Sequence, residues 1–363
     1  MSKPRSLYIH IPFCEHICDY CDFTKLQYFR NFAISYLKEL KKECDSYHIS
    51  NLKTIYVGGG TPTALDDDLF QELLEIIKPY TSGVEEYTFE ANPESLSETK
   101  IKLLSQYGIN RISIGVQSTH DEILKCLNRQ HSFNDVRKAV KLLKENGLNN
   151  INVDLILGLP NCSISLLKED LDNVLSLDIK HLSCYALTIH PHTVLYNHGY
   201  REMDSDLMRE YYDVVNDFLK EKGFIHYEVS NWCLSHYQSK HNLTYWRNEQ
   251  YYGVGLGASG YIDDLRYKNT INLDKYLKGE YIQEKEVVTP KDELTYQTML
   301  NLRTNEGLDL KYLLDQYGVD LLEVKEKEIR ALIKQNLLML QENKLVPTYE
   351  GMMVLDTIVL QLI

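Results

Sequence analysis

Along the first half of the chain, short runs of apolar, β-branched and aromatic residues alternate with longer segments of helical period. Leu7-Tyr8-Ile9, Thr54-Ile55-Tyr56-Val57, Tyr87-Thr88-Phe89-Glu90, Arg111-Ile112-Ser113-Ile114-Gly115-Val116, Ile151-Asn152-Val153-Asp154-Leu155-Ile156 and the run from His181 to Leu187 read as strands. Helical spacing covers residues 31–47, Asp66 to about Pro79, 97–107, Asn134 to Asn146 and 163–176, with acidic residues in the first turn after Asp66, where the helix dipole favours them. Six strands alternating with helices predict an α/β fold of parallel βα units wound right-handed. The pattern alone allows an open doubly wound sheet or a barrel.

Polar residues choose between them. They gather at the carboxyl ends of successive strands: the loop after Pro12, Gly58-Gly59-Gly60-Thr61, Glu90, Gln117 and Asp154. A barrel with its site on the carboxyl rim has this distribution. Beyond residue 200 the rhythm changes. A long amphipathic helix over about 204–222 is expected to cover the barrel, and both tryptophans fall in a less regular stretch over 223–261. From about Pro290 the composition shifts to Leu, Lys and Glu at helical spacing. The expected organisation is a barrel over 1–200, a barrel-covering segment over 201–289, and a small, mostly helical, winged-helix-like domain over 290–363.

Length and composition fit this plan: 363 residues, 44% hydrophobic and 25% charged, are ordinary for a globular protein of one large domain with an appendage. No apolar run approaches the ~20 residues of a membrane helix. The start, Met-Ser-Lys-Pro-Arg-Ser, leads straight into a strand, so no signal peptide and a cytoplasmic location are expected. A formal charge of −13 argues against a nucleic-acid footprint, and a winged helix in such a chain is an architectural or partner-binding element. Of eight cysteines, Cys44, Cys126, Cys162, Cys184 and Cys233 are scattered and read as packing residues.

The other three, Cys14, Cys18 and Cys21, form a CxxxCxxC array in a polar loop flanked by Glu15, His16 and Asp19. Thiolates at this spacing fold around one small metal centre. Three are one too few to close a tetrahedral zinc site or to ligate every iron of a four-iron cluster, so one iron would stay open to an outside ligand. The competing readings are a zinc loop or three cysteines that merely pack in a core. The glycine run that ends the second strand lets backbone amides approach a ligand closely, although a tight turn alone would also use it.

CxxxCxxC with an aromatic, Tyr20, directly before the third cysteine resembles the signature of the radical S-adenosylmethionine (SAM) enzymes. The resemblance implies a partial (β/α)6 barrel, with Cys14, Cys18 and Cys21 holding a [4Fe–4S] cluster. The fourth iron would chelate the amino and carboxylate groups of SAM, which an electron cleaves to methionine and a 5′-deoxyadenosyl radical. By motif position it also implies that Tyr8, Gly59, Gly60, Thr61, Glu90, Gln117, Arg129 and Asp154 line the SAM site and that Tyr20 packs near the adenine. Glu90 suits an ammonium or hydroxyl, Asp154 ribose hydroxyls, and Arg129 a carboxylate.

Tyr8-x-His-x-Pro-x-Cys, Gly-Gly-Gly-Thr-Pro-Thr, Glu90-x-Asn-Pro, Gly115-Val-Gln-Ser, Leu127-x-Arg-x-His and Val153-Asp-Leu-x-x-Gly-Leu-Pro follow the order of one subgroup. That subgroup contains the oxygen-independent coproporphyrinogen III oxidase, a porphyrin-metabolism enzyme that decarboxylates propionates to vinyl groups, and related haem chaperones. Three features resemble the chaperone branch. The oxidase pattern continues CxxxCxxCxC, whereas Phe23 stands here; the oxidase has a long amino-terminal extension, whereas thirteen residues precede Cys14; and His241-Asn242-Leu243-Thr244-Tyr245-Trp246 matches an HNxxYW motif linked with haem. The resemblance then implies haem as cargo with His241 as its ligand, haem-accepting partners such as respiratory cytochromes, an electron donor for the cluster, and membrane association only through partners. Coproporphyrinogen oxidation is the alternative activity.

Overall fold

The computed structural model describes residues 3–363. Six parallel strands lie side by side in chain order: β1 (Ser6–Ile11), β2 (Thr54–Gly59), β3 (Glu86–Ala91), β4 (Arg111–Gln117), β5 (Ile151–Leu157) and β6 (His181–Ala186). Helices α1 (Arg30–Ser46), α2 (Asp67–Ile77), α3 (Glu98–Gln106), α4 (Phe133–Glu145) and α5 (Ile164–Leu175) make the crossovers. Their starts are set locally. Ser97 and Ser163 cap α3 and α5, and Ser132 with Asp135 forms a capping box on α4. The apolar face of α4, Val136, Ala139, Val140 and Leu143, is buried in the main core with Ile112, Ile114, Ile151 and Val153. Each such side chain contributes roughly 1.5–3 kcal/mol by leaving water.

The segment after residue 200 does more than cover the barrel. Helix α6 (Ser205–Glu221) packs on α5, and three short strands extend the sheet at both edges. β7 (Ile225–Glu228) and β8 (Asn231–Cys233) add antiparallel beside β6, while β9 (Tyr252–Val254) adds parallel to β1. The order is β9-β1-β2-β3-β4-β5-β6-β8-β7, and the edge strands do not pair with each other, so the sheet is open rather than a closed barrel. Helix α7 (Lys240–Trp246) lies between β8 and β9 in the chain. A separate antiparallel sheet, β10 (Ser259–Ile262), β11 (Leu265–Asn269) and β12 (Ile282–Val287), follows β9.

The carboxyl-terminal part is mostly helical, with α8 (Pro290–Asn301), α9 (Leu310–Tyr317), α10 (Glu326–Lys334) and α11 (Leu355–Leu362) among its helices. It has its own core, including Leu302, Leu313, Leu332, Leu345 and Ile358, and a small three-stranded sheet. No helix among the described residues is long and apolar enough to cross a membrane.

Candidate functional site

The cysteine loop follows β1. Short pairings of Phe13-Cys14 with Leu26-Gln27 tie its two ends together, so the thiols sit on a closed loop at the carboxyl rim. Cys14 is buried, Cys18 and Cys21 are half-buried, and all three are free thiols. Donors reach the sulfurs from the end of β2 and from the loop after the short helix Asp121–Cys126. Thr61 Oγ1 lies 3.7 Å from Cys14 Sγ, and Arg129 Nη1 lies 3.4 Å from Cys18 Sγ. Asn92 joins the two, donating to Thr61 Oγ1 at 3.2 Å and accepting from Arg129 Nη2 at 3.0 Å. Burial pushes the Cys14 thiol up to about 11, with the Thr61 hydrogen bond pulling the other way, and burial also raises Cys21. A positive metal centre is what would deprotonate thiols placed like this.

The donor set fits a cluster. Three free thiols share one loop, two hydrogen-bond donors face sulfur, and Arg129 is buried with its Nε unpartnered. Tyr20 lies beside Cys18, Cys21 and Arg129, and burial pushes its phenol well up. Among the described residues no three His, Cys, Asp or Glu side chains converge as the ligands of a single ion do.

Next to the loop a cavity of about 430 Å³ opens at the rim. Tyr8, Gly59 and Glu90, all expected at the SAM site, line it. Glu90 accepts from the Tyr56 hydroxyl at 2.6 Å and from the Gly59 amide at 2.9 Å. Burial pushes its carboxyl up to about 7 despite those two donors. Gly59 has φ +115°, and a Cβ there would stand 2.6 Å from the His10 ring. A Cβ on Gly58 would meet the Glu90 carboxylate at 2.6 Å, and one on Gly60 the Pro12 backbone at 2.7 Å. The glycine run is therefore required by three separate close approaches.

His10, not singled out from the sequence, also lines the cavity. Its Nδ1 pairs with the Tyr8 hydroxyl at 2.9 Å and its Nε2 with the Thr24 carbonyl at 2.7 Å. Burial lowers its pKa to about 4, so it is neutral at ordinary pH. The available signal was its spacing: two residues from Tyr8, it faces the same side of β1. Gly60, Thr61 and Arg129 do not line this cavity; Thr61 and Arg129 face the cysteine sulfurs instead. Gln117 ends β4 at φ +68°, close against Gly115 beside Asn92 and Arg129. Asp154 lies mid-strand rather than at a strand end, accepting from Ser113 and Asn152 within the barrel.

His241 is elsewhere. Helix α7 plugs the amino-terminal end of the half-barrel: its first amides, Lys240 N and His241 N, donate to Glu86 at 2.9 Å each, and Ser6 pairs with Thr244. The imidazole is fully buried, with Nδ1 2.7 Å from Thr54 Oγ1 and Nε2 2.7 Å from the Tyr245 hydroxyl. It stacks on Tyr56, and burial with nearby Arg111 lowers its pKa to about 3. Both ring nitrogens are engaged, so neither is open to iron in this arrangement. Tyr245, at the far end of α7, reaches the cavity. The five scattered cysteines divide: four are buried as packing residues, while Cys126 is exposed at the end of the short helix Asp121–Cys126.

An open sheet of six parallel βα units, a three-thiol loop after the first strand and a glycine run after the second define one class, and the family comparisons agree. The Radical SAM superfamily model matches residues 8–174, and the HemN C-terminal domain model matches residues 288–354. The chain belongs to the radical SAM superfamily. Within it, the chain belongs to the family of proteins named heme chaperone HemW. It is 37% identical over 360 residues to the one from Lactococcus lactis, covering 97% of this chain and 95% of that protein. To the one from Bacillus subtilis it is 36% identical over 364 residues, covering 96% of each. The fold matches that of the solved coproporphyrinogen III oxidase (HemN) from Escherichia coli with a TM-score of 0.86 at 20% identity, over 99% of this chain and 90% of that one.

Proposed function

We propose that the protein is a haem chaperone that holds a [4Fe–4S] cluster and SAM, binds haem and delivers it to haem-accepting proteins, respiratory cytochromes among them. The observation that carries this is the match, over nearly the whole of both chains, to proteins named heme chaperone HemW. In this reading Cys14, Cys18 and Cys21 ligate the cluster, and Thr61 and Arg129 tune it through hydrogen bonds to sulfur. Glu90 receives the ammonium of SAM beside Gly59 and Gly60, Tyr8 walls the same side, and Arg129 pairs with its carboxylate. Gln117 and Asp154 serve the ribose, and Tyr20 the adenine. A [4Fe–4S] cluster held there would, once reduced by a donor protein, supply the electron that cleaves SAM. The barrel over 1–200 and its extension over 201–289 hold the cofactors, the domain over 290–363 contacts partners, and the protein works in the cytoplasm.

The test is a haem titration of the anaerobically reconstituted full chain, with a parallel assay of the same sample on coproporphyrinogen III, SAM and dithionite. Stoichiometric haem binding without vinyl product is the expected result. Vinyl product without haem binding would assign the oxidase activity instead.

A further inference from the structure

The cavity has two sides of different chemistry. β2 and β3 supply Gly59 and Glu90, the side assigned above to SAM. The cysteine loop and the 251–268 segment supply Phe23, Tyr251 and Lys268, and α7 supplies Tyr245. Phe23 is 67% exposed, a costly position for a large aromatic ring on a loop tied at both ends. Lys268 is also exposed and, among the described residues, makes no ion pair. Tyr245 and Tyr251 meet edge to face at 4.6 Å. Phe23 and Lys268 share this lining with phenols, and the acid beside them, Asp22, is paired with His190; a flat aromatic and an unpaired cation match a flat apolar ligand with an anionic edge. Haem, with its macrocycle and two propionates, is such a ligand.

The same cavity offers the iron no free imidazole. Among the described residues His10 is the one histidine that lines it, and both its nitrogens are bonded. His241 lies beneath Tyr245, bonded to it and to Thr54. His190, nearer the rim, pairs through Nε2 with Asp22 at 3.1 Å and does not line the cavity. Building on the chaperone reading, we infer that haem docks at this mouth through its face on Phe23 and a propionate on Lys268. In this arrangement His241 is a positioning residue that holds Tyr245 and does not ligate the iron. Cargo held by its face and edge keeps an axial position open, and an acceptor's own ligand can capture the iron there before the carrier lets go.

The experiment is an anaerobic haem titration of the reconstituted full chain, read by Soret absorbance, for wild type, Phe23→Ala, Lys268→Ala, Tyr245→Phe, His241→Ala and the Tyr245→Phe/His241→Ala pair. Phe23→Ala and Lys268→Ala each weaken binding about three- to tenfold. Tyr245→Phe and His241→Ala weaken it by similar factors, the pair is no worse than either alone, and the Soret position is the same throughout. Imidazole added to the wild-type complex shifts the Soret band by taking the open position. A wild-type complex already low-spin and indifferent to imidazole overturns the inference. So does a Soret shift in His241→Ala that Tyr245→Phe lacks, or wild-type affinity in both rim variants. Should His241→Ala not fold, the two exposed rim variants and the imidazole response decide. A wild type that binds no haem overturns the chaperone reading itself, and is distinguished from the other failures by that.

Discussion

Arg129 donates to the sulfur of Cys18 at 3.4 Å from a position in which it is almost wholly buried. Through Asn92 the same guanidinium is linked to Thr61, which faces Cys14. Two loops distant in sequence thus converge on two of the three thiols. A cationic hydrogen bond to a cluster sulfur stabilises the more negative, reduced state. Arg129→Met should leave the cluster assembled and move its reduction potential to more negative values, measured by a redox titration followed by electron paramagnetic resonance. An unchanged potential would remove the role given to Arg129.

Cys18→Ala should abolish iron–sulfur absorbance and reduce bound iron to near zero after reconstitution, because two remaining thiolates cannot hold the cluster. Cys126→Ala, on an exposed thiol outside the loop, should match wild type in both. Equal iron content in the two variants would refute the ligand assignment.

Gly59→Ala places a Cβ at 2.6 Å from the His10 ring on a backbone at φ +115°. The strain and the displaced ring should together cost about 2 kcal/mol or more. A urea midpoint shift at constant slope measures it. A loss under about 0.5 kcal/mol, the range of a neutral surface change, would show that the loop relaxes freely.

Glu90 gives a pH signature. Its folded pKa, about 7, lies above its ordinary 4.5 because of burial, so between those values the native state binds more protons than the unfolded chain. Stability therefore falls as pH rises from about 4.5 to about 7 and levels above that, by on the order of 3 kcal/mol from this group. Glu228 carries a similar buried shift to about 7 and contributes in the same direction. Glu90→Gln should flatten, not reverse, the decline of unfolding free energy across that window. An identical slope in the variant would contradict the buried-acid description.

Much of this was legible in the sequence. Strands β1 to β6 announce themselves because each carries buried apolar residues at alternate positions, such as Ile112, Ile114 and Val116 in β4 and Ile151, Val153, Leu155 and Leu157 in β5, and the cysteine and glycine loops sit where strand ends place them. β7, β8 and β9 were not legible, since strands of three or four residues are too short to show alternation. Asp154 was grouped with the strand-end residues for its charge, yet it is the fourth of seven residues in β5 and falls mid-strand. The place of His241 was hidden for another reason. Its partners, Thr54 and Glu86, lie far back in the chain, and only the folded half-barrel brings α7 under them.

Haem transfer tests the central claim most directly. The reconstituted full chain, loaded with one equivalent of haem, is mixed with a haem-free cytochrome domain, and the Soret band of the product is followed in time. Direct delivery predicts that the acceptor fills at a rate that rises with its own concentration. Filling at a fixed rate set only by haem dissociation, or a chain that never retains haem on gel filtration, would contradict it.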